Sequence, residues 1–482
     1  MLIFNTQYRL RHDVERILLI NKSQFGSASF MSFIHPVYAW ILNQFDGKTN
    51  DDIIFKRIQN ELQVKDIYAL LNPLIDNSTD VIMRYDGVIS IFPPNVLTNN
   101  SGNMVRGKEK DSFFTSIHNI NHNDWRLFRP LNLLICPTLK CYTNCIYCYA
   151  NRQYAHKELN SEEWKECILQ AKQCGIERID VTGGEFFLKK DWKEIAKSLT
   201  LNGYFPDIST KIPLRNKDIE AILDCGLRKL QISLDTLSST IASNTLNVDD
   251  NYILRIKETI RYADALGLKL IIKPTLTKFT CTIENIKSIL SFANTLKNVD
   301  RVVVSVIGFS CYKPRTLYKN IRPSLTQIEL VRNFLGKESK HFNFPIHDDT
   351  FIYTRNEMMN SIIFEGRAKC TANLEGFVVL PDGTVTICEE LYWNKNFIIG
   401  NIARDSIMQI WNSSKALKLS KLGKEDYPYE SNCRECDQLV ECHSKRGVCW
   451  KLIQCAYGAE HIFYPDPRCP KAPLSQTTFT ID

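Results

Sequence analysis

The chain has 482 residues, enough for several domains around a large buried core, and its 44% apolar and 23% charged content is that of an ordinary globular protein that folds. Its net charge of +7 comes from scattered Lys and Arg rather than a basic block, so it carries no footprint for nucleic acid. No apolar run reaches the roughly 18 to 20 residues of a membrane span, and "MLIFNTQYRLRHDVERILLI" lacks the unbroken apolar core of a signal peptide, so a cytoplasmic protein with no membrane partner is expected.

In chain order, residues 1–100 begin with the β-like runs "YRLR", "RILLINK" and "SFMSFI" and continue with the helical patterns "PVYAWILNQF", "NDDIIFKRIQNEL" and "VKDIYALLNPLI". Gly47 marks the end of the first helix, Asn50 caps the second, and "RYDGVISIF" reads as a hairpin turning at Asp86-Gly87. Residues 101–125 lack apolar periodicity and read as a linker.

From 126 to 350 strands alternate with helices. The strands are expected at 131–135, 177–182, 207–210, 229–235, 268–275 and 301–308, separated by amphipathic windows such as "SEEWKECILQAKQCG", "KDWKEIAKSLTLNG" and "NYILRIKETIRYADALG". Short Val- and Ile-rich strands between helices that close on Gly are the pattern of parallel βαβ units. Six units with no seventh predict an α/β fold, a partial (β/α)6 barrel. From 365 to 482 the alternation stops: "GFVVLPDGTVTIC" reads as a hairpin turning at Asp382-Gly383, "RDSIMQIWNS" as a short helix, and the remainder as Cys-rich coil.

The 17 cysteines are an odd number in a chain without secretory signals, so metal ligands or catalysts are expected before disulfides. "CYTNCIYC" sets Cys141, Cys145 and Cys148 in a C-x3-C-x2-C frame on the loop leaving the first barrel strand, the face where barrel enzymes build their sites. Three thiolates on a [4Fe-4S] cluster leave one iron open, and a zinc ion with a fourth ligand elsewhere fits the same spacing. The next strand ends "DVTGGEFF": Gly183 and Gly184 let a bound molecule approach the backbone, and Glu185 offers an acceptor to an amine.

This pairing, with Tyr147 before the last Cys and G-G-E one strand on, resembles the radical S-adenosylmethionine (SAM) enzymes over roughly residues 130–310. The resemblance implies that Cys141, Cys145 and Cys148 hold a [4Fe-4S] cluster whose open iron takes the amino and carboxylate groups of SAM. It further implies that Tyr147, Gly183, Gly184 and Glu185 line that cofactor, and that Ser209, Lys211, Ser233 and Asp235 touch its carboxylate and ribose. As polar residues at strand ends, these last four have an equally good structural reading. One electron, from a flavodoxin- or ferredoxin-type donor, would split SAM and leave an adenosyl radical that abstracts hydrogen from carbon.

Eight more cysteines follow: Cys370, Cys388, Cys433, Cys436, Cys442, Cys449, Cys455 and Cys469. Their C-x12-G-x4-C and C-x2-C-x5-C spacings, with "GNI" at 400–402, resemble the SPASM extension of radical SAM enzymes, which implies one or two auxiliary [4Fe-4S] clusters. Six residues, rather than the usual three, separate Cys442 from Cys449, and Cys455 is extra, so the roles of these two stay open. Cys136, Cys167, Cys174, Cys225, Cys281 and Cys311 read mostly as small core residues.

The front segment, three strands and three helices with "FIHPVYAWILNQFDGKT", resembles the winged-helix precursor-recognition element of enzymes that modify ribosomally made peptides. That implies a leader peptide added as a β-strand, with residues 28–34 and the helix near 63–75 as its seat. A DNA-binding winged helix or a structural cap is the plain alternative. The three parts together resemble sactipeptide synthases and related maturases, which implies a precursor-peptide partner and a thioether between a Cys sulfur and an α-carbon. Other outcomes on a peptide are a carbon-carbon crosslink, epimerisation or decarboxylation. A protein maturase of the sulfatase-activating type would use an acid after a tail Cys as base, here Glu389, which reads rather as an exposed hairpin residue. A zinc-stabilised interaction protein is the alternative outside enzymes.

Overall fold

Breaks in the hydrophobic pattern and the capping residues around them set most element boundaries in this computed structural model. It describes residues 1–14, 16–22, 28–100, 102, 104–107, 126–151, 157–350, 364–367, 369–445 and 447–474. Two compact units form, Met1–Leu131 and Asn132–Asp482. Most of the expected linker at 101–125 lies outside the described residues.

In the first unit, Tyr8–Asp13, Arg16–Lys22 and Ala28–Ile34 form an antiparallel sheet in that order. The helix Pro36–Gln44 starts with proline in its first turn, where no backbone N–H is required, and His35 Nδ1 accepts from Val37 N at 3.1 Å. All nine of its residues are buried, so it forms the spine of the core with Phe45, Ile58, Leu71 and Phe92 packed around it. Asn50 caps Asp51–Leu62 by accepting from Asp52 N at 2.8 Å. The hairpin Val81–Tyr85 with Val88–Phe92 turns at Asp86 and Gly87, whose φ of 46° and 77° are those of the type I′ turn the Asp-Gly pair favours.

In the second unit, Ile208–Thr210, Lys229–Ile232, Lys269–Ile272 and Val299–Val306 are parallel neighbours in that order. Asn132–Ile135 and Arg178–Val181 form a second parallel pair. Helices such as Ser161–Gln173, Trp192–Leu201 and Tyr252–Ala265 link the strands. The expected strand 268–275 is interrupted at Pro274, which cannot donate to a ladder; Thr275–Leu276 resumes against Ser305 and Val306.

Three expectations are corrected. A further parallel strand, Ile346–Asp349, pairs with Val299–Val306; "IHDD" is too polar and too exposed to signal a strand. The hairpin strand Gly376–Val379 pairs parallel with Asn132–Ile135, so the hairpin belongs to the sheet of the first strand. The Cys-rich coil contains the helices Leu439–Lys445 and Trp450–Tyr457. Among the described residues no helix is long and apolar enough to cross a membrane.

Candidate active site

Cys141, Cys145 and Cys148 lie on one loop after the strand Asn132–Ile135. The loop is held from two sides. Asn144 N and Ile146 N donate to the carbonyls of Leu246 and Thr245 at 2.9 and 3.0 Å, at the end of the helix Ser239–Leu246, an element the sequence pattern did not reveal. Gly184 N and Glu185 N donate to Thr138 O and Lys140 O at 2.9 and 2.7 Å, which fastens the Gly-Gly-Glu segment to the approach of the thiol loop.

That approach explains the glycines. A Cβ on Gly183 would stand 2.4 Å from Thr138 O, and one on Gly184 would stand 2.2 Å from Lys140 O. Gly183 also has φ +128°, a conformation side chains disfavour. Chain packing therefore demands both glycines at this point, whatever ligand adjoins them.

Within the loop, the Thr143 hydroxyl stands 3.6 Å from the Cys141 sulfur and 3.2 Å from the Cys145 sulfur. Burial raises the Cys145 thiol, while Lys211 and Thr143 pull it back toward the thiolate. Lys211 comes from the end of Ile208–Thr210. Its ammonium is 2.7 Å from the buried Asp235 carboxylate and 2.6 Å from Tyr147 OH, which also donates to Asp235. Burial pulls Lys211 down, but Asp235 and Cys145 more than offset it and keep the ammonium charged. Asp235 Oδ1 accepts from Thr275 N at 3.0 Å. The structure thus brings Tyr147, Lys211 and Asp235 together beside the three thiols. Ser209 accepts from Gln231 Nε2 at 2.9 Å, and Ser233 N donates to Thr210 O at 2.9 Å.

Glu185 is 2% exposed. Its carboxylate accepts from Thr210 Oγ1, Lys211 N and Phe187 N at 3.1, 3.1 and 3.4 Å, and burial pushes it up to about 7 despite those bonds. Glu389 is no exposed hairpin residue. Its carboxylate accepts from Tyr149 OH and from Thr182 Oγ1, each at 3.2 Å, beside the thiol loop and the Gly-Gly-Glu segment, and burial followed by Glu390 raises it. Sequence reasoning missed Tyr149, and no local spacing ties it to a residue 240 positions away.

The tail cysteines fall into groups. Cys433, Cys436, Cys442 and Cys469 line a cavity of about 490 Å³ together with Arg367, His443 and Asp466. Arg367 Nη2 donates to the Cys442 sulfur at 3.1 Å and Lys471 Nζ to the Cys436 sulfur at 3.5 Å, so thiolate charge there is met by cations. Cys388 lies within electrostatic range of Cys449 and Cys370, and Cys449 within range of Cys370, so these three form a second group. Asp466 joins the two groups: it accepts from Cys449 N at 2.9 Å and pairs with Arg468 at 2.8 Å. Cys455 joins neither group but sits 2.8 Å from Cys311. Among the described residues no three Cys, His, Asp or Glu donors close to metal-ligand geometry. Burial raises Cys433 and Cys449 to about 12, so iron binding at these groups must displace protons.

By their chemistry the donor sets suit iron-sulfur clusters, whose thiolates each bind a different iron and so stand farther apart than the ligands of a single ion: three thiols beside a buried cation on the loop, and four thiols around one cavity with cations on two of the sulfurs. The radical SAM superfamily matches residues 135–293, and the SPASM iron-sulfur cluster-binding domain matches residues 370–437. The "PqqA peptide cyclase" of Rhizobium meliloti (strain 1021) is 22% identical over 320 residues, 65% of this chain and 81% of that protein. A "Probable GTP 3',8-cyclase" of Archaeoglobus fulgidus is 34% identical over 111 residues, 22% of this chain and 36% of its own length, so the chain spans about a third of that relative. Among solved structures, Streptococcus suis SuiB bound to precursor peptide SuiA has a TM-score of 0.62 at 16% identity, covering 97% of this chain and 100% of that one. SuiB bound to S-adenosylmethionine has a TM-score of 0.62, also at 16% identity, and covers 97% and 99%. At such identity the likeness is one of fold.

Proposed function

From the premise that this chain belongs to the radical SAM superfamily and carries a SPASM iron-sulfur domain, we propose that it is a peptide maturase acting on a ribosomally made precursor, most simply by closing a thioether from a Cys sulfur to an α-carbon. The observation that carries the reading is the three-thiol loop beside the buried Tyr147, Lys211 and Asp235 network, matched to the radical SAM superfamily over residues 135–293. The wider reading is a partial α/β barrel that follows a winged-helix recognition domain in the chain, with domains at 1–100 and 126–350 and a Cys-rich region at 365–482 whose first hairpin joins the sheet of the first barrel strand.

When bound, the cluster and SAM supply hydrogen-atom abstraction from an unactivated C–H bond after one-electron reduction. Cys141, Cys145 and Cys148 would hold that cluster. Lys211 offers a fixed positive charge to a carboxylate and Asp235 an acceptor to a hydroxyl or amine, once their mutual pair opens. Glu185 acts through the fold: by gripping the backbone N–H groups of Phe187 and Lys211 it ties two strand ends together. Glu389, shielded and raised, suits the removal of a proton from a substrate thiol or amide. Cys433, Cys436, Cys442 and Cys469 would hold one auxiliary cluster, and Cys370, Cys388 and Cys449 the other.

For the first unit, the likeness of fold to SuiB and the antiparallel sheet ending in Ala28–Ile34 support leader binding by strand addition. The test is anaerobic incubation of the reconstituted protein with SAM, reductant and a leader-bearing precursor peptide. A mass loss of two hydrogens supports a crosslink, and loss of that product when the core cysteine is changed to alanine assigns it to sulfur. An unchanged mass with deuterium uptake supports epimerisation, and a product equally formed without the leader would remove the recognition role of the first unit.

A further inference from the structure

Cys311 and Cys455 are 144 residues apart, yet their sulfurs are 2.8 Å from each other. Cys311 follows the strand Val299–Val306, and Cys455 lies on the helix Trp450–Tyr457. Cys455 belongs to an apolar cluster with Ile307, Phe309 and Tyr318, against which Cys311 and, from the thiol loop, Ile146 and Tyr147 pack. Cys455 is 3% exposed, whereas Cys311 is partly exposed. The Cys311 sulfur also reaches the Lys451 carbonyl at 3.7 Å, and the Lys451 ammonium is held 2.7 Å from Glu390. The groups acting on each sulfur are chiefly the other sulfur, Lys451 and Glu390.

Two thiols in contact, one of them reachable from solvent and a charged Lys side chain close by, have the form of an exchanging pair rather than of two core residues. We propose that Cys311 and Cys455 are a redox-active thiol pair that closes to a disulfide and thereby ties the helix Trp450–Tyr457 to the end of the parallel sheet. The oxidant is a small-molecule disulfide. Cys311, as the thiolate, attacks one of its sulfurs; one small thiol leaves and a mixed disulfide forms. Cys455 then loses its proton and displaces the second small thiol. Two protein thiols are oxidised by two electrons in total, and one disulfide molecule is reduced to two thiols.

The bond has a structural consequence. Cys449 is the N-cap of that same helix and interacts with Cys370 and Cys388, so oxidation pins one member of that group to the barrel side. This inference is independent of the peptide chemistry proposed above.

The experiment uses the reconstituted holoenzyme, kept anaerobic and equilibrated in glutathione buffers of rising disulfide fraction. Exchange is quenched in acid, free thiols are then alkylated with N-ethylmaleimide near pH 7 in denaturant, and peptides are mapped without reduction. A peptide linking Cys311 to Cys455, lost on adding dithiothreitol, is the expected result. In Cys455→Ser, Cys311 should carry glutathione instead, with iron per chain and circular dichroism unchanged. Three results would overturn the inference: both thiols fully alkylated after oxidation, either one linked elsewhere, or a drop of about four irons per chain in a folded Cys455→Ser variant, which would make Cys455 a cluster ligand.

Discussion

Around Cys141, Cys145 and Cys148 the sulfur donors come from eight consecutive residues, and the parts that arrive from afar are Lys211, Asp235 and Glu389. Around the tail cavity the donors themselves are spread from Cys433 to Cys469, and the frame is a buried Asp466 and Arg468 pair with Arg367. The first arrangement fixes a site by local spacing and tunes it by tertiary contact. In the second, tertiary contact makes the site. On the proposed ligation, the local loop supplies three thiols and leaves one iron of a cluster without a protein ligand, whereas the four thiols around the tail cavity complete a cluster's ligand set.

The largest effect separating the two follows from replacing Cys141, Cys145 and Cys148 together by alanine. SAM cleavage, measured as 5′-deoxyadenosine under anaerobic conditions with dithionite, should fall to background while the iron of the tail is retained, a loss of about four irons per chain. Retained cleavage would refute the assignment of the loop. Next come the buried charges that frame each region. Asp235→Ala leaves Lys211 in the interior and Asp466→Ala leaves Arg468, and each should lower the free energy of unfolding by roughly 3 to 5 kcal/mol in a denaturant titration. A Lys211→Met and Asp235→Leu double variant should recover much of the first loss.

The pH dependence is smaller and belongs to the loop side. Glu185 is raised from its ordinary 4.5 to about 7 in the folded state, so the fold binds its proton more tightly than the unfolded chain does. The stability this supplies is complete below pH 4.5 and disappears as pH rises through about 7, on the order of 3 kcal/mol in all. Glu185→Gln should flatten the unfolding free energy between pH 5 and 7.5; an unchanged slope would discard the carboxyl as its source. The smallest effect is Gly184→Ala, whose methyl meets the Lys140 carbonyl. A cost of about 1 to 3 kcal/mol, with weaker iron retention by the loop than by the tail, is expected in thermal melts and metal analysis.

Legibility in the sequence divides along the same line. The pairing of the three-Cys spacing with Gly-Gly-Glu one strand on, and the family resemblance it carries, picked out Cys141, Cys145, Cys148 and Gly183 to Glu185, because each motif is close in the chain as well as in space. The strand Arg16–Lys22 and the cap at Asn50 were legible for the same reason: propensity and capping are local. The short helix Ser239–Leu246, with no apolar stripe to announce it, was not, although it anchors the thiol loop. The two glycines were read as room for a ligand, and loop packing requires them on its own account. Glu389 and the partnership of Cys311 with Cys455 were illegible, since the contacts that bury the one and join the other close over 207 and 144 residues.

The parallel pairing of Gly376–Val379 with Asn132–Ile135 means that the segment bearing the tail cysteines, soon after Cys370, contributes a strand to the very sheet that launches the thiol loop. A chain cut short near residue 350 would strip the first strand of its neighbour and leave an open ladder edge for other chains to join. Shortened versions of this protein should therefore precipitate rather than survive as a smaller enzyme. The tail cannot be traded like a cassette: any exchange between relatives has to carry residues 376–379 along with the strand they complete.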